Sequence, residues 1–270
     1  MTNALRFQGE KQAKVAGDGT FKALILDIET VPHTAKVWGL WNETIPLARL
    51  LEAGEVICFA AKWLDDPHSK TMFFSNHHDG HEVMVQAAWD LVNEADAVIH
   101  YNGKNFDMKH LHREFLLAGL TPPAPHRDID LLQVARATFK FASNRLDHVA
   151  QELGVGAKVK HAGYEVWEGC IADDPKSWAE MKRYNIGDIK VTEGVYHAIK
   201  PWIRTHPHVG SYTGDLHSCR VCGSKDLQRR GFARTSVSVF QRYRCKECGA
   251  WSRAAHRMPD MTVQTRSVTG

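Results

Sequence analysis

Four acidic residues of this 270-residue chain stand in contexts suited to holding divalent cations. Asp27 and Glu29 lie in the run Leu24-Ile25-Leu26-Asp27-Ile28-Glu29-Thr30. Asp107 ends Asn102-Gly103-Lys104-Asn105-Phe106-Asp107, and Asp188 ends Tyr184-Asn185-Ile186-Gly187-Asp188. On a strand, residues two apart share a face, so Asp27 and Glu29 project together. On a helix, residues four apart are neighbours, which sets Tyr184 beside Asp188. Converging carboxylates repel one another unless a cation relieves them, and Mg²⁺ takes oxygen ligands while keeping some waters. Two such ions can activate a water and stabilise a leaving oxygen, which is metal-assisted cleavage of a phosphodiester. Each fragment also has an ordinary explanation. An aspartate in a helix's first turn, as expected for Asp107, is favoured by capping and the helix dipole alone. It is the order and the contexts together that point to chemistry.

The elements that must position these residues can be read from periodicity. Residues 21–29 form a strand-like apolar run with its carboxylates at the C-terminal end, and 55–64 and 70–75 read as two further strands of an antiparallel meander. Residues 81–93 read as a helix, 97–101 as a short strand, and 105–118 as a helix stopped by Gly119-Leu120-Thr121-Pro122-Pro123. Residues 127–130 look like a short edge strand leading into a helix from Leu131, and 145–153 like a short helix. A long helix over 175–199 carries Tyr184 and Asp188. Strands first, then helices and strands alternating, imply an α/β fold with a mixed sheet flanked by helices.

With those motifs in that order, residues 21–200 resemble the DEDD exonucleases of the ribonuclease-H-like superfamily. They are similar in particular to the branch with a tyrosine in its last motif, which includes the exonuclease domain of family B DNA polymerases. The resemblance assigns Asp27 and Glu29 to the first motif, Asp107 to the second, and Tyr184 and Asp188 to the third. The sister branch carries a histidine five residues before the last aspartate, where this chain has Arg183. The stretch Ser143-Asn144-Arg145-Leu146-Asp147-His148-Val149-Ala150 is similar to a helix these domains carry before the third motif. Asp130 falls where relatives often have an acidic residue and is not expected to be a ligand. The resemblance implies two Mg²⁺ or Mn²⁺ ions held by Asp27, Glu29, Asp107 and Asp188, with Tyr184 orienting the attacking water. A tyrosine of ordinary pKa is a poor base near neutrality, so orientation is the expected role. Asn102 is expected to shape the path of the substrate strand. Phe106 fits either stacking on a terminal base or a core position, and Lys104 either a phosphate contact or a solvated surface.

A second module follows. Cys219-x-x-Cys222 and Cys245-x-x-Cys248 are separated by 22 residues, and each pair is followed by glycine, Gly223 and Gly249. Glycine permits the tight turn of a zinc knuckle, so one structural Zn²⁺ in a small ribbon is expected. Four thiolates leave no open position for catalysis. Between the knuckles, Arg229, Arg230, Arg234, Arg242 and Arg244 accompany Phe232, Phe240 and Tyr243, with Trp251 just after the second knuckle. Basic and aromatic residues interleaved suit phosphate contact and base stacking, while some of the aromatics must fill the ribbon's small core. Charge is split accordingly. Residues 204–270 hold 12 Lys/Arg against 4 Asp/Glu, leaving residues 1–203 with a net −5. That basic segment reads as a holder of polyanions or as a solubility tail.

The expected organisation is a flexible lead-in over 1–20, a ribonuclease-H-like domain over 21–203, a linker over 204–217, a zinc ribbon over 218–252 and a flexible tail over 253–270. At 43% hydrophobic and 24% charged residues, with no apolar run of membrane-spanning length and no signal-peptide core, an intracellular protein with reduced thiols is expected. In function, the resemblance implies a metal-dependent 3′→5′ exonuclease with DNA favoured over RNA as partner. Standalone relatives occur in phages and prokaryotes, which implies the host cytoplasm for a phage protein. A DNA polymerase or other replication protein is a further expected partner, proofreading then being supplied in trans. An RNase or endonuclease of the same superfamily, and a non-catalytic zinc-ribbon nucleic-acid-binding protein, remain open alternatives.

Overall fold

The computed structural model describes residues 19–41, 43–64, 66, 68–157 and 163–259. By its internal contacts the chain divides into two compact units; among the described residues the first runs from Lys22 to Tyr196, and the second takes 19–21 with the residues from His197 onward.

The first unit is built on a five-stranded sheet of order β5-β4-β1-β6-β7. Its strands are β1 (Ala23–Thr30), β4 (Val56–Trp63), β5 (Met72–Ser75), β6 (Ala97–His100) and β7 (Arg127–Asp130). β4 runs antiparallel to both β1 and β5, while β6 runs parallel to β1 and β7. This is the mixed sheet expected from the order of strands and helices, with the meander at one end and β7 at the other edge. Between β1 and β4 the chain makes a second ribbon that the periodicity did not predict, β2 (Thr34–Ala35) paired antiparallel with β3 (Leu50–Glu52). The helices are α1 (His81–Glu94), α2 (Asp107–Leu117), α3 (Leu131–Thr138), α4 (Leu146–Glu152), α5 (Glu165–Ile171) and α6 (Pro175–Ile199). Of these, α5 was not foreseen. None of the described helices is long and apolar enough to cross a membrane.

Alternation along β1 sorts its residues between the two faces of the sheet. Leu24, Leu26 and Ile28 pack with Phe59 and Ala61 of β4 against Met84, Val85 and Ala88 of α1 and Leu111 and Phe115 of α2. Asp27 and Glu29 take the opposite face, where β1 is in register with Ala60 and Cys58 of β4. On that side α5 and α6 supply Val166, Cys170, Trp178 and Met181. The two carboxylates thus leave the sheet on the side where α6 lies. His77 stacks on buried Trp178 with ring centroids 5.1 Å apart.

The second unit holds a three-stranded sheet of order β10-β9-β8, formed by β8 (Leu227–Arg234), β9 (Val239–Cys245) and β10 (Trp251–Arg253). Residues 204–217, expected as a linker, are folded. They carry α7 (Gly210–Thr213), and Arg220 donates to the carbonyls of Arg204 and His206 at 2.6 and 2.7 Å. Phe21, expected to open the first domain, packs on Tyr212 at 5.0 Å. Of the tail expected over 253–270, the described residues are folded: Ala254 and Met258 donate to Gln241 and Val239 and extend the ribbon sheet. The lead-in over 1–20 lies outside the described residues except for 19–20.

Candidate metal centres and nucleic-acid surfaces

The fold brings Asp27, Glu29 and Asp188 together, with one carboxylate oxygen from each lying within 4.8 Å of the others. Two of these come from one strand face and the third from α6. Asn185, one turn before Asp188, is fully buried. Its Nδ2 donates to Asp27 Oδ2 at 2.7 Å and to the Asp27 carbonyl at 3.3 Å, which fixes both the helix and the carboxylate. Sequence reading passed over Asn185. Its helical offset of three from Asp188, placing both on one face, was the available signal. Tyr184 packs edge-on against Trp167 of α5, centroids 6.0 Å apart.

Asp107 is not part of that close group. It opens α2, is buried, and its Oδ1 accepts from the Ile28 N–H at 3.0 Å. The register of β1 with β6 runs only from Ala23 to Ile25, so Asp107 supplies an acceptor beyond it, where a buried N–H needs one. The fourth carboxylate therefore docks on the backbone between the other two first-strand residues.

Burial raises the Asp107 pKa from 3.8 to about 6, against the lowering effects of the Ile28 N–H and His100. The folded protein holds this proton more tightly than the unfolded chain. Between about pH 4 and 6 the metal-free fold therefore loses stability as pH rises, and the penalty is complete above about pH 6. Asp107→Asn keeps the acceptor for Ile28. Without metal it is expected to stabilise the protein by roughly 1–3 kcal/mol at pH 7.5, with no gain below pH 4. Thermal denaturation in EDTA across that range checks this; a pH-independent difference would contradict it.

The turn before Asp107 is shaped by close packing. Asn102 has φ 74°, with its N–H donated to Asp130 Oδ1 at 3.0 Å. A Cβ on Gly103 would come within 2.5 Å of the His100 ring, so only glycine fits. Asp130, expected not to be a ligand, caps α3 by accepting from Leu132 and Gln133. Phe106 is not in the core. It is 40% exposed and lies beside His110, ring centroids 4.6 Å apart. Lys104 is exposed.

A cavity of about 580 Å³ adjoins the cluster, lined by Asp27, Tyr101, Asn102, Arg136, Asn144 and Arg145 among others. Tyr101 donates to the Asn144 carbonyl at 2.7 Å, and burial pushes its phenol up to about 12, so it stays neutral. Asn144 Oδ1 is buried without a hydrogen-bond partner among the described residues. Arg136 and Arg145 were not singled out from sequence, because nothing local marks an arginine as facing a site built by other elements. On the α5 and α6 side, burial pushes the Cys58 thiol well up, with Glu29 and Asp27 adding to the rise. Both cysteines outside the ribbon motif, Cys58 and Cys170, are buried neighbours in the same apolar cluster.

In the second unit the sulfurs of Cys219, Cys222, Cys245 and Cys248 all lie within 4.8 Å of one another. The Cys219–Cys248 and Cys222–Cys245 separations are both 3.6 Å. Four sulfurs about 2.3 Å from one zinc in a tetrahedron would be about 3.8 Å apart, so the group is compatible with a zinc ribbon. Gly223 and Gly249 adopt φ 72° and 79°, and their N–H groups donate to Cys219 and Cys245. Burial pushes the Cys222 thiol up to about 11, a cost to the thiolate that a dication would reverse.

The ribbon's aromatics are not its core, which consists of the cysteines with Val221, Leu227 and Ala250. Pairing register instead sorts the arginines by face. Trp251 stands opposite Arg244, and Arg253 opposite Arg242. Phe240, Arg242 and Arg244 alternate along β9 and share that face. Arg242 lies 4.9 Å from the Trp251 ring and Arg253 4.0 Å from that of Phe240. Arg230 donates to Gln228, itself opposite Arg244, and joins the same side. Arg229 and Arg234, opposite Tyr243 and Val239, belong to the other face. Arg253 was not singled out from sequence, since only the pairing of β10 with β9 sets it beside Arg242.

A family model of the RNase H superfamily matches residues 43–200. The match contains Asp107, Tyr184 and Asp188 and begins after β1. No curated protein matches the chain. A match over more than half of the chain, together with the mixed sheet and its covering helices, shows that the protein belongs to the RNase H superfamily.

Proposed function

We propose that the protein is a metal-dependent 3′→5′ exonuclease of the tyrosine-bearing DEDD type acting on DNA, with a zinc ribbon that adds nucleic-acid binding. The observation that carries this reading is the convergence of Asp27, Glu29 and Asp188 within 4.8 Å, with Asp107 anchored to the backbone between the first two. Three carboxylates this close repel one another, and a divalent cation with oxygen ligands relieves that repulsion. Bound there, Mg²⁺ or Mn²⁺ would activate a water and stabilise the leaving 3′ oxygen.

The chain's own residues do the rest. Asn185 holds the Asp27 carboxylate in place, and Tyr184, braced by Trp167, orients the attacking water. Asn102 and Asn144 line the cavity beside Asp27, where Asn144 Oδ1 offers an acceptor and Arg136 and Arg145 meet phosphates. Lys104 and exposed Phe106 extend this surface along the strand. In the ribbon, Arg230, Arg242, Arg244 and Arg253 with Trp251 and Phe240 form the nucleic-acid-binding face, and Arg229 and Arg234 contribute charge from the other side. The four cysteines would hold one structural Zn²⁺. A replication protein such as a polymerase is a fitting partner for this activity.

The test is a time course on a 5′-labelled single-stranded oligonucleotide and its duplex with Mg²⁺, Mn²⁺ or EDTA. A metal-dependent ladder receding from the 3′ end is expected. Internal cuts would replace the reading with an endonuclease, preferential cleavage of matched RNA with an RNase, and binding without cleavage with a non-catalytic protein. Tyr184→Phe, which keeps the packing on Trp167, is expected to lower kcat roughly 10- to 100-fold with Mn²⁺ binding by calorimetry unchanged. Loss of metal binding would make Tyr184 part of the ligand framework instead.

A further inference from the structure

The ribbon between β1 and β4 carries the most exposed apolar side chains of the described residues, and nothing in the metal site uses them. Trp38 is 91% exposed, Trp41 86% and Leu40 85%. Large apolar surface of this kind, when not scattered singly, marks an interaction site.

Three observations say what it meets. First, the ribbon is a hydrogen-bonded continuation of the strand pair that bears Asp27 and Glu29. Val31 donates to Glu55, Thr34 pairs with Glu52, Ala35 with Leu50, and Lys36 donates to Arg49. From Glu29 to Trp38 is nine residues, a reach of at most about 30 Å. A stacked strand advances about 3.4 Å per nucleotide, so the tip lies within the span of about nine nucleotides from the site.

Second, the backbone at Trp38 and Gly39 is held without burying the indoles. Glu43 Oε2 accepts from the Trp38 and Gly39 N–H groups, each at 3.0 Å, and its Oε1 pairs with Arg49. These two N–H groups are thereby satisfied, and the Trp38 and Trp41 rings are left presented to solvent.

Third, no aspartate or glutamate occurs from Thr30 to Trp41, a stretch that carries His33 and Lys36, although residues 1–203 are net negative. The one acid of the tip, Glu43, is paired with Arg49. A polyanion approaching along residues 30–41 meets no acid of that segment, while exposed Glu52 and Glu55 lie on the paired side of the ribbon, near its base and away from Trp38.

Indole faces stack on any base, which suits a strand read without sequence preference. We infer that Trp38 and Trp41 form a stacking platform for unpaired bases of a single strand, upstream of the end held at the metal site. This rests on the nuclease reading for the direction of the strand, and the platform itself is tested by binding alone.

The full chain and its Trp38→Ala/Trp41→Ala variant are titrated with a fluorescent single-stranded DNA 12-mer in EDTA, by anisotropy. About 0.3 M salt weakens phosphate contacts made elsewhere and leaves stacking in view. Because both side chains are already in solvent, the variant should keep the wild-type melting temperature. A Kd weakened by about tenfold or more, with melting unchanged, is the expected result. An unchanged Kd overturns the platform and assigns the apolar tip to a protein partner. A Kd weakened only together with a lowered melting temperature also overturns it. Cleavage by the wild-type protein is measured in parallel. If binding depends on the tryptophans but no phosphodiester is cut, the nuclease reading fails while the platform stands.

Discussion

Alanine at Asp27 or at Asp188 is expected to abolish phosphodiester cleavage while DNA binding persists. Each substitution removes one of the three carboxylates that lie within 4.8 Å of one another, and with it a charge that holds a divalent cation. Transition-state stabilisation by such ions is worth several kcal/mol, so turnover should fall by at least about a thousandfold. The two variants should differ in stability. Asp27 Oδ2 accepts from buried Asn185 Nδ2 at 2.7 Å, and Asp27→Ala leaves that donor without its side-chain acceptor, at a cost of roughly 1–3 kcal/mol. Asp27→Asn keeps an acceptor and should melt close to wild type, yet be as inactive as Asp27→Ala. Initial rates at saturating Mn²⁺, binding to a labelled oligonucleotide in EDTA and melting curves separate these effects. Substantial cleavage by Asp27→Ala would refute the assignment of the site.

The second large effect is expected in the ribbon. Its core is four cysteines, Val221, Leu227 and Ala250, too little apolar surface to hold a fold by itself. Structural zinc contributes about 10–16 kcal/mol in such small modules. Cys222→Ser is therefore expected to unfold the ribbon and release its zinc. The first unit, with its own core, should retain its melting transition. A chromogenic zinc assay should find one equivalent per chain in the wild type and none in the variant. The aromatic circular-dichroism signal of the ribbon should fall with it. Because the ribbon's four arginines of one face need the β8–β9–β10 register to act together, oligonucleotide affinity should fall as well, and its salt dependence should become shallower. A variant that keeps its zinc and its spectrum would show that the four cysteines serve another purpose.

Much of this site was legible in the sequence because its signals are local. Strict alternation put Asp27 and Glu29 on one face, helical spacing put Tyr184 beside Asp188, and the bounds of the helix over Pro175–Ile199 matched the apolar periodicity. The Cys-x-x-Cys pairs with trailing glycines spelled a four-sulfur site before any geometry was known. The arm carrying Trp38 and Trp41 was not legible, since β2 and β3 are two and three residues long and have too few positions to show a period.

By itself, then, the sequence determined the order of the five sheet strands and of the helices α1 to α4 and α6, the element that carries each carboxylate, and the grouping of the cysteines. All of these follow from spacing along one segment. Tertiary structure decided the partners. It brought Asn185 to Asp27, set Asp107 on the Ile28 N–H rather than in the close group, and turned the apolar tip of the arm to solvent. The irregularity in β8 between Arg229 and Phe232, together with strand register, placed Arg230, Arg242, Arg244 and Arg253 on one face and Arg229 and Arg234 on the other. The reason is the same in each case. Periodicity says which residues of a segment share a face, but the group that face meets depends on register and packing between segments far apart in the chain.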